Sequence, residues 1–153
     1  MSFQPKEEKD AERQLITNWA VIKGARVIKL QGDNDDGKTD GVVEYNGEET
    51  SVEARRKGYP NHSGKACLFS EGWETKFLVN DGGIFLNEST IKNHRNKGFI
   101  YIVEIKGFKP RFCFISPSRI DELLSQPYRK MKSTNSGVLQ SVKAVPLHWF
   151  EEY

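Results

Sequence analysis

The spacing of apolar positions changes from one segment of the chain to the next, and each spacing predicts an element. From Lys6 to Lys23 the residues Ala11, Leu15, Ile16, Trp19 and Ile22 recur every three or four positions. That is the period of a helix with one buried stripe, and acids lie near its start, where the helix dipole favours them. Gly24 is expected to end it. Arg26 to Leu30 (RVIKL) reads as a short strand, followed by a polar, acidic loop from Gly32 to Thr39. Two alternating runs, Gly41 to Tyr45 and Glu49 to Arg55, then flank Asn46-Gly47, a pair that signals a two-residue type I′ hairpin turn.

Gly58 to Gly83 is glycine-rich, and only a strand near Lys76 to Val79 and a turn at Asp81-Gly82-Gly83 stand out. Asn87 to Asn96 (NESTIKNHRN) predicts a short capped helix, and Phe99 to Ile105 (FIYIVEI) and Arg111 to Ile115 (RFCFI) predict two strands. Ser116-Pro117 opens another helix, with serine as cap and proline in the first turn, where its missing N–H costs nothing. That helix carries Ile120, Leu123 and Leu124 and is expected to stop before Pro127. The tail SVKAVPLHWF predicts a last strand anchored by Leu147, Trp149 and Phe150.

The hairpin turn fixes a register. If Tyr45 opposes Glu48, then Glu44 meets Glu49, Val42 meets Ser51 and Asp40 meets Glu53. Gly41, Val43 and Tyr45 share with Thr50, Val52 and Ala54 the face that should pack on helices, and the acids take the other face. Opposed β carbons lie roughly 4.5–5.5 Å apart, and like charges there are destabilising unless something bridges them. A divalent cation is a natural bridge. Arg55, two residues beyond Glu53, points to the same face, so one surface carries acid, acid and base.

With 153 residues the chain is expected to form one domain, residues 1–153, with a core large enough to need no disulfide or structural metal. No run approaches the roughly 18 apolar residues of a spanning helix, and the start MSFQPKEEKDAER lacks an apolar signal core. A cytoplasmic, intracellular protein is expected, with no membrane partner. Cys67 and Cys113 have no CxxC spacing and read as buried free thiols. His62, His94 and His148 are scattered and read as surface or structural histidines. The formal charge of +2 is too small to hold nucleic acid by net charge alone. Basic residues gather at Arg55-Arg56-Lys57, from Lys92 to Lys97 and at Arg129-Lys130-Lys132, runs that are most often solvated faces.

The succession of helix, strand and acid-bearing hairpin, then helix and two strands, resembles the PD-(D/E)xK nuclease superfamily, the fold of many restriction endonucleases and Holliday-junction resolvases. The resemblance spans residues 6 to 125 as an order of elements, and its specific part is TDGVVEYNGEETSVEARRKG, which supplies Asp40, Glu53, Ala54 and Arg55. DAERQLITNW supplies Glu12 on the first helix. It implies an α+β or α/β fold with a restriction-endonuclease-like core, a central mixed sheet flanked by helices in the order αβββαββα. It also implies a metal-dependent DNA endonuclease in which Asp40, Glu53 and the Ala54 carbonyl bind Mg²⁺ or Mn²⁺ and Glu12 holds a metal-bound water or second ion. Enzymes of this class that cut both strands are often dimers, so a homodimer is expected by resemblance.

Two departures from the family pattern matter unequally. Thr39 stands where a proline often precedes the Asp, at a position that varies. Arg55 stands where the family has lysine, and a guanidinium cannot serve as a base at ordinary pH, although it can orient water or stabilise charge on the phosphate. Lys57 lies on the same strand face and offers a second amine. The competing expectation is a catalytically inactive nuclease-like domain that binds nucleic acid or protein, or an α+β binding domain whose hairpin is coincidental.

Overall fold

The computed structural model describes residues 6–30, 39–57, 83–105, 108–132 and 139–153. Helix α1 (Lys6–Lys23) buries Leu15, Ile16, Trp19 and Ala20, while Ile22 is 61% exposed, although its spacing placed it on the buried stripe. The helix stops where Gly24 takes φ +72° and the Ala25 N–H donates to the Ala20 carbonyl at 2.9 Å, the left-handed ending glycine favours.

Strands β1 (Arg26–Leu30), β2 (Gly41–Tyr45) and β3 (Glu48–Lys57) form an antiparallel meander. Next come β4 (Gly83–Asn87), α2 (Glu88–Asn93), β5 (Phe99–Ile105), β6 (Arg111–Ile115) and α3 (Pro117–Leu124). The chain ends with β7 (Lys130–Lys132), β8 (Leu139–Pro146), a 3₁₀ turn (Leu147–Trp149) and β9 (Glu151–Glu152). The larger sheet has the order β1-β2-β3-β5-β6-β9 and is antiparallel except where β3 and β5 run parallel. Strands β4, β8 and β7 pair in a second, antiparallel group. The fold is thus mixed α+β, a mostly antiparallel central sheet flanked by helices.

The near-continuous apolar run of β5 fits a central strand covered on both faces. Its even positions Ile100 and Ile102 join Val43, Val52, Ala54 and the α1 stripe in one core. Its odd positions Phe99, Tyr101, Val103 and Ile105 join Ile91, Ile120, Leu123 and the β4 and β8 side chains in the other. Trp19 fixes α1 to the sheet, meeting Tyr45 and Phe112 edge-on at ring separations of 5.2 and 5.4 Å. Among the described residues no helix is long and apolar enough to cross a membrane.

Several expectations are corrected. Gly83 starts a strand rather than completing a turn, because residues 83–87 pair along β8. Asn87 takes the N-cap position of α2 without a side-chain capping bond, and the helix stops at Asn93 rather than Asn96. The tail strand ends at Pro146, where the backbone turns into the 3₁₀ segment, so Leu147, Trp149 and Phe150 reach the core from a turn and its exit. The strand expected near Lys76 to Val79 lies outside the described residues, as do Cys67 and His62. Cys113 is buried as a free thiol.

Candidate functional site

The hairpin register is the expected one, from Tyr45 opposite Glu48 to Gly41 opposite Val52, and the turn has positive φ at both Asn46 (54°) and Gly47 (81°). The next pair would be Asp40 and Glu53, but there the ladder stops. Thr39 Oγ lies 3.0 Å from the carbonyl oxygens of both Gly41 and Val52, and Asp40 Oδ2 accepts the Ala54 N–H at 2.9 Å. Side chains therefore replace backbone pairing at this end of the hairpin, and the Asp40 carboxylate is brought over β3.

Three carboxylates are buried here: Glu12 at 2%, Glu53 at 4% and Asp40 at 8% exposure. Arg55 joins two of them. Its Nη1 lies 3.4 Å from Glu12 Oε2, 3.4 Å from Asp40 Oδ2 and 3.0 Å from the Ala54 carbonyl. Burial alone would lower the guanidinium pKa, but attraction to Asp40 and then Glu12 holds it above its ordinary value, so the group is always cationic. Burial first, then repulsion from Asp40, pushes the Glu53 carboxyl well above the usual range against the pull of Arg55.

Glu53 has a further partner in His94, whose Nε2 lies 2.9 Å from Glu53 Oε1. The His94 ring stacks on Phe99 with centroids 4.6 Å apart. Tyr101 is the register neighbour of Glu53 across the parallel β3–β5 pair, and its buried hydroxyl has no hydrogen-bond partner among the described residues. Burial raises the phenol's pKa, with Arg55 opposing, so it stays a neutral donor.

The fold thus gathers Glu12, Asp40, Glu53, Ala54 and Arg55 at one place. Lys57 pairs with Ile105 at the far end of β3, and its side chain lies outside what the structure describes. Arg56 turns to the other face and bonds Glu104 at 2.8 Å. The sequence reading missed His94, read as a surface or structural histidine, and Tyr101, given no role beyond the strand that contains it. Only the β3–β5 crossover brings either residue to Glu53, and no short-range pattern encodes that pairing.

All the proposed ligands are oxygens, the donor type that hard divalent cations take. Three of them, on Glu12, Asp40 and Ala54, lie within 3.4 Å of Arg55 Nη1. Among the described residues no three His, Cys, Asp or Glu side chains close on a common point as a formed metal cage would. As they stand, with Arg55 among them, these oxygens do not form a metal site. Comparison of the chain with protein-family models, curated proteins and solved structures finds no match.

Proposed function

We propose that this chain is a metal-dependent phosphodiesterase acting on DNA, built on a restriction-endonuclease-like core. The observation that carries the reading is the convergence of Glu12, Asp40 and the Ala54 carbonyl, from α1, the entry to β2 and β3, on the Arg55 guanidinium, with buried Glu53 beside them on β3. Burial and then repulsion from Asp40 push the Glu53 carboxyl's pKa up, and a divalent cation would relieve that repulsion. The arrangement α1-β1-β2-β3, with a later strand parallel to β3, supports the same core.

In this reading Asp40, Glu53 and the Ala54 carbonyl hold Mg²⁺ or Mn²⁺, and Glu12 holds a water or second ion beside it. When bound, such a cation supplies a water of lowered pKa and offsets charge on the phosphate oxygens. Arg55 cannot take a proton from that water. Its role is to contact the phosphate and stabilise the charge gathering on its non-bridging oxygens, which a fixed guanidinium does well in a site partly closed to solvent. Asp40, tied to the Ala54 N–H, keeps the carbonyl of the same residue turned into the site.

The test is incubation with plasmid, linear and branched DNA in Mg²⁺ and in Mn²⁺. Cleavage is expected, and Asp40→Ala is expected to lower it by at least about 100-fold, as loss of a metal ligand or its support does. Nicked against linear plasmid products report whether one or both strands are cut. Cleavage by the Asp40→Ala protein equal to wild type would end the proposal.

A second reading, an inactive nuclease-like domain that binds nucleic acid or protein, has one observation in its favour. Arg55 already takes the place among the oxygens where a cation would sit. If wild type does not cut and Arg55→Lys creates Mg²⁺-dependent cleavage, the second reading holds.

A further inference from the structure

We propose that the groove between α2 and β8 holds a single strand of DNA, with lysines on its phosphates and Tyr128 stacked on a base. The choice of DNA rests on the phosphodiesterase reading above, whereas the groove itself is independent of the carboxylate site.

Two basic runs far apart in the sequence, Lys92 to Lys97 and Arg129-Lys130-Lys132, are brought together here. The groove, of about 310 Å³, is lined by Asn87, Glu88, Ser89 and Lys92 from the β4–α2 corner and by Gln140 and Ser141 from β8. Lys130 is the register partner of Ser141 across β7 and β8, and directly opposed side chains share a face, so its ammonium stands beside the same groove. Lys143, two residues along β8 from Ser141, reaches Glu88 Oε1 at 3.5 Å, while Lys92 lies 3.7 Å from Glu88 Oε2. Glu88 is the one acid among the lining residues, set against Lys92, Lys130 and Lys143. The groove thus keeps a positive charge, and its neutral lining offers amide and hydroxyl donors. Both suit phosphate oxygens.

Phosphate contacts alone would not select a single strand. Tyr128 supplies that choice. Its ring is 70% exposed, and Lys130 Nζ lies 5.7 Å from the ring centroid rather than on a carboxylate. An aromatic ring left in solvent beside an ammonium is a platform for an unpaired base whose phosphate the lysine then meets. Bases in a duplex are already stacked and cannot use it. Helix α2 connects the groove to the carboxylates, since Glu88 begins the helix and His94 caps its end and meets Glu53 at 2.9 Å. Its six residues span about 9 Å, about three phosphates along one strand, so a strand that leaves the groove along α2 reaches the proposed site within a few nucleotides.

The test is fluorescence anisotropy of a labelled thymidine oligonucleotide of about 16 nucleotides, titrated with the full chain in EDTA between about 50 and 200 mM salt, so that binding is read apart from metal-dependent cleavage. Lys92→Ala combined with Lys130→Ala is expected to weaken binding about 10-fold or more at low salt and to flatten the dependence of log affinity on log salt by about 0.7 per lost contact. Tyr128→Ala is expected to weaken binding about 5-fold or more at every salt concentration with the slope unchanged, and Tyr128→Phe, which keeps the ring, to bind as wild type does. These side chains are exposed, so the variants keep the fold. Arg26→Ala, which removes an exposed charge from β1 at the edge of the larger sheet, is expected to leave binding unchanged.

Absence of saturable binding, equal loss in Arg26→Ala, or duplex bound as tightly as the single strand overturns the proposal. So does tighter binding of the same sequence as RNA, or displacement of the probe by polyglutamate of equal charge. A wild-type protein that binds as expected and does not cut DNA in Mg²⁺ or Mn²⁺ sinks the phosphodiesterase reading and leaves the groove standing.

Discussion

Burying the Glu53 carboxyl beside Asp40 works against folding, because the charged form loses its hydration and gains a like charge. A neutral side chain of the same shape would remove that conflict. Glu53→Gln keeps an acceptor for His94 and is expected to stabilise the metal-free protein by about 1–3 kcal/mol, the range seen when buried charges are neutralised. In a chain of this size that is several degrees in Tm, at about 2–4 °C per kcal/mol. Mn²⁺ binding should be lost in the same variant. The pH dependence follows from the raised carboxyl pKa: the folded state favours the protonated form, so the stability that group contributes is present in acid and lost as pH rises through the folded value. The gain from Glu53→Gln should therefore be small near the ordinary carboxyl pKa of about 4.3 and grow toward neutrality. Thermal unfolding of both metal-free proteins over that range checks it, and a lower Tm for the variant at neutral pH would show that the ionised carboxylate supports the fold.

Elements set by short-range chemistry were legible in the sequence, and those set by distant pairing were not. Asn46-Gly47 dictates its own turn, and that turn dictates the hairpin register down to Gly41 and Val52. Ser116 and Pro117 likewise announce α3, where the Ser116 hydroxyl accepts the Arg119 N–H. Asp40 and Glu53 were expected as the next opposed pair, but the ladder ends at Gly41 and Val52 and Asp40 accepts the Ala54 N–H instead; His94 and Tyr101 were missed because they approach Glu53 through the parallel β3–β5 pairing. Strand β4 was hidden for a similar reason: GIFLN becomes a strand by lying along β8, far away in sequence.

Two glycines at the ends of such elements behave differently. Gly47, at φ +81°, has nothing within 4 Å of an added Cβ, so Gly47→Ala meets only backbone strain of about 1 kcal/mol. Gly98, at φ +79°, would place a Cβ 2.5 Å from the Ile115 carbonyl oxygen, in addition to the same strain. It lies between His94 and β5, so the chain has no slack there. Gly98→Ala is expected to cost about 2–4 kcal/mol in urea unfolding, clearly more than Gly47→Ala. Equal costs would mean that the entry to β5 yields more easily than its geometry implies.

At the scale of the whole molecule, groups buried on the two covered faces of the central sheet are expected to make the fold sensitive to alkali. Cys113 and Tyr101 are register partners on β6 and β5, both buried, and Tyr153 lies against Phe112 at the edge of the opposite core. Burial pushes the Cys113 thiol up to about 12 and raises both phenols above their ordinary value, with nearby cations only partly opposing it for Cys113 and Tyr101. The folded chain therefore keeps protons that the unfolded chain releases, first from the thiol near pH 8.5 and then from the phenols near about pH 10. Whenever the folded state holds more protons than the unfolded state, stability falls as pH rises. Below about pH 8 the contribution is fully present. Above about pH 9.5 Cys113 and Tyr101 should each remove up to roughly 1.4 kcal/mol per pH unit until the folded pKa is reached, and the half-buried Tyr153, partly screened by solvent, less. Urea unfolding under reducing conditions at about pH 7, 9 and 10.5 tests this, with Cys113→Ala as the comparison. The variant should start less stable, through its lost packing, and decline less steeply between about pH 8.5 and 10, because only the phenols remain to titrate. Parallel declines in the two proteins would show that the thiol is not shielded in the folded state. The slope also sets the range in which a cleavage assay reports on the site: a loss of activity above about pH 9 that tracks global unfolding says nothing about Asp40 or Glu53.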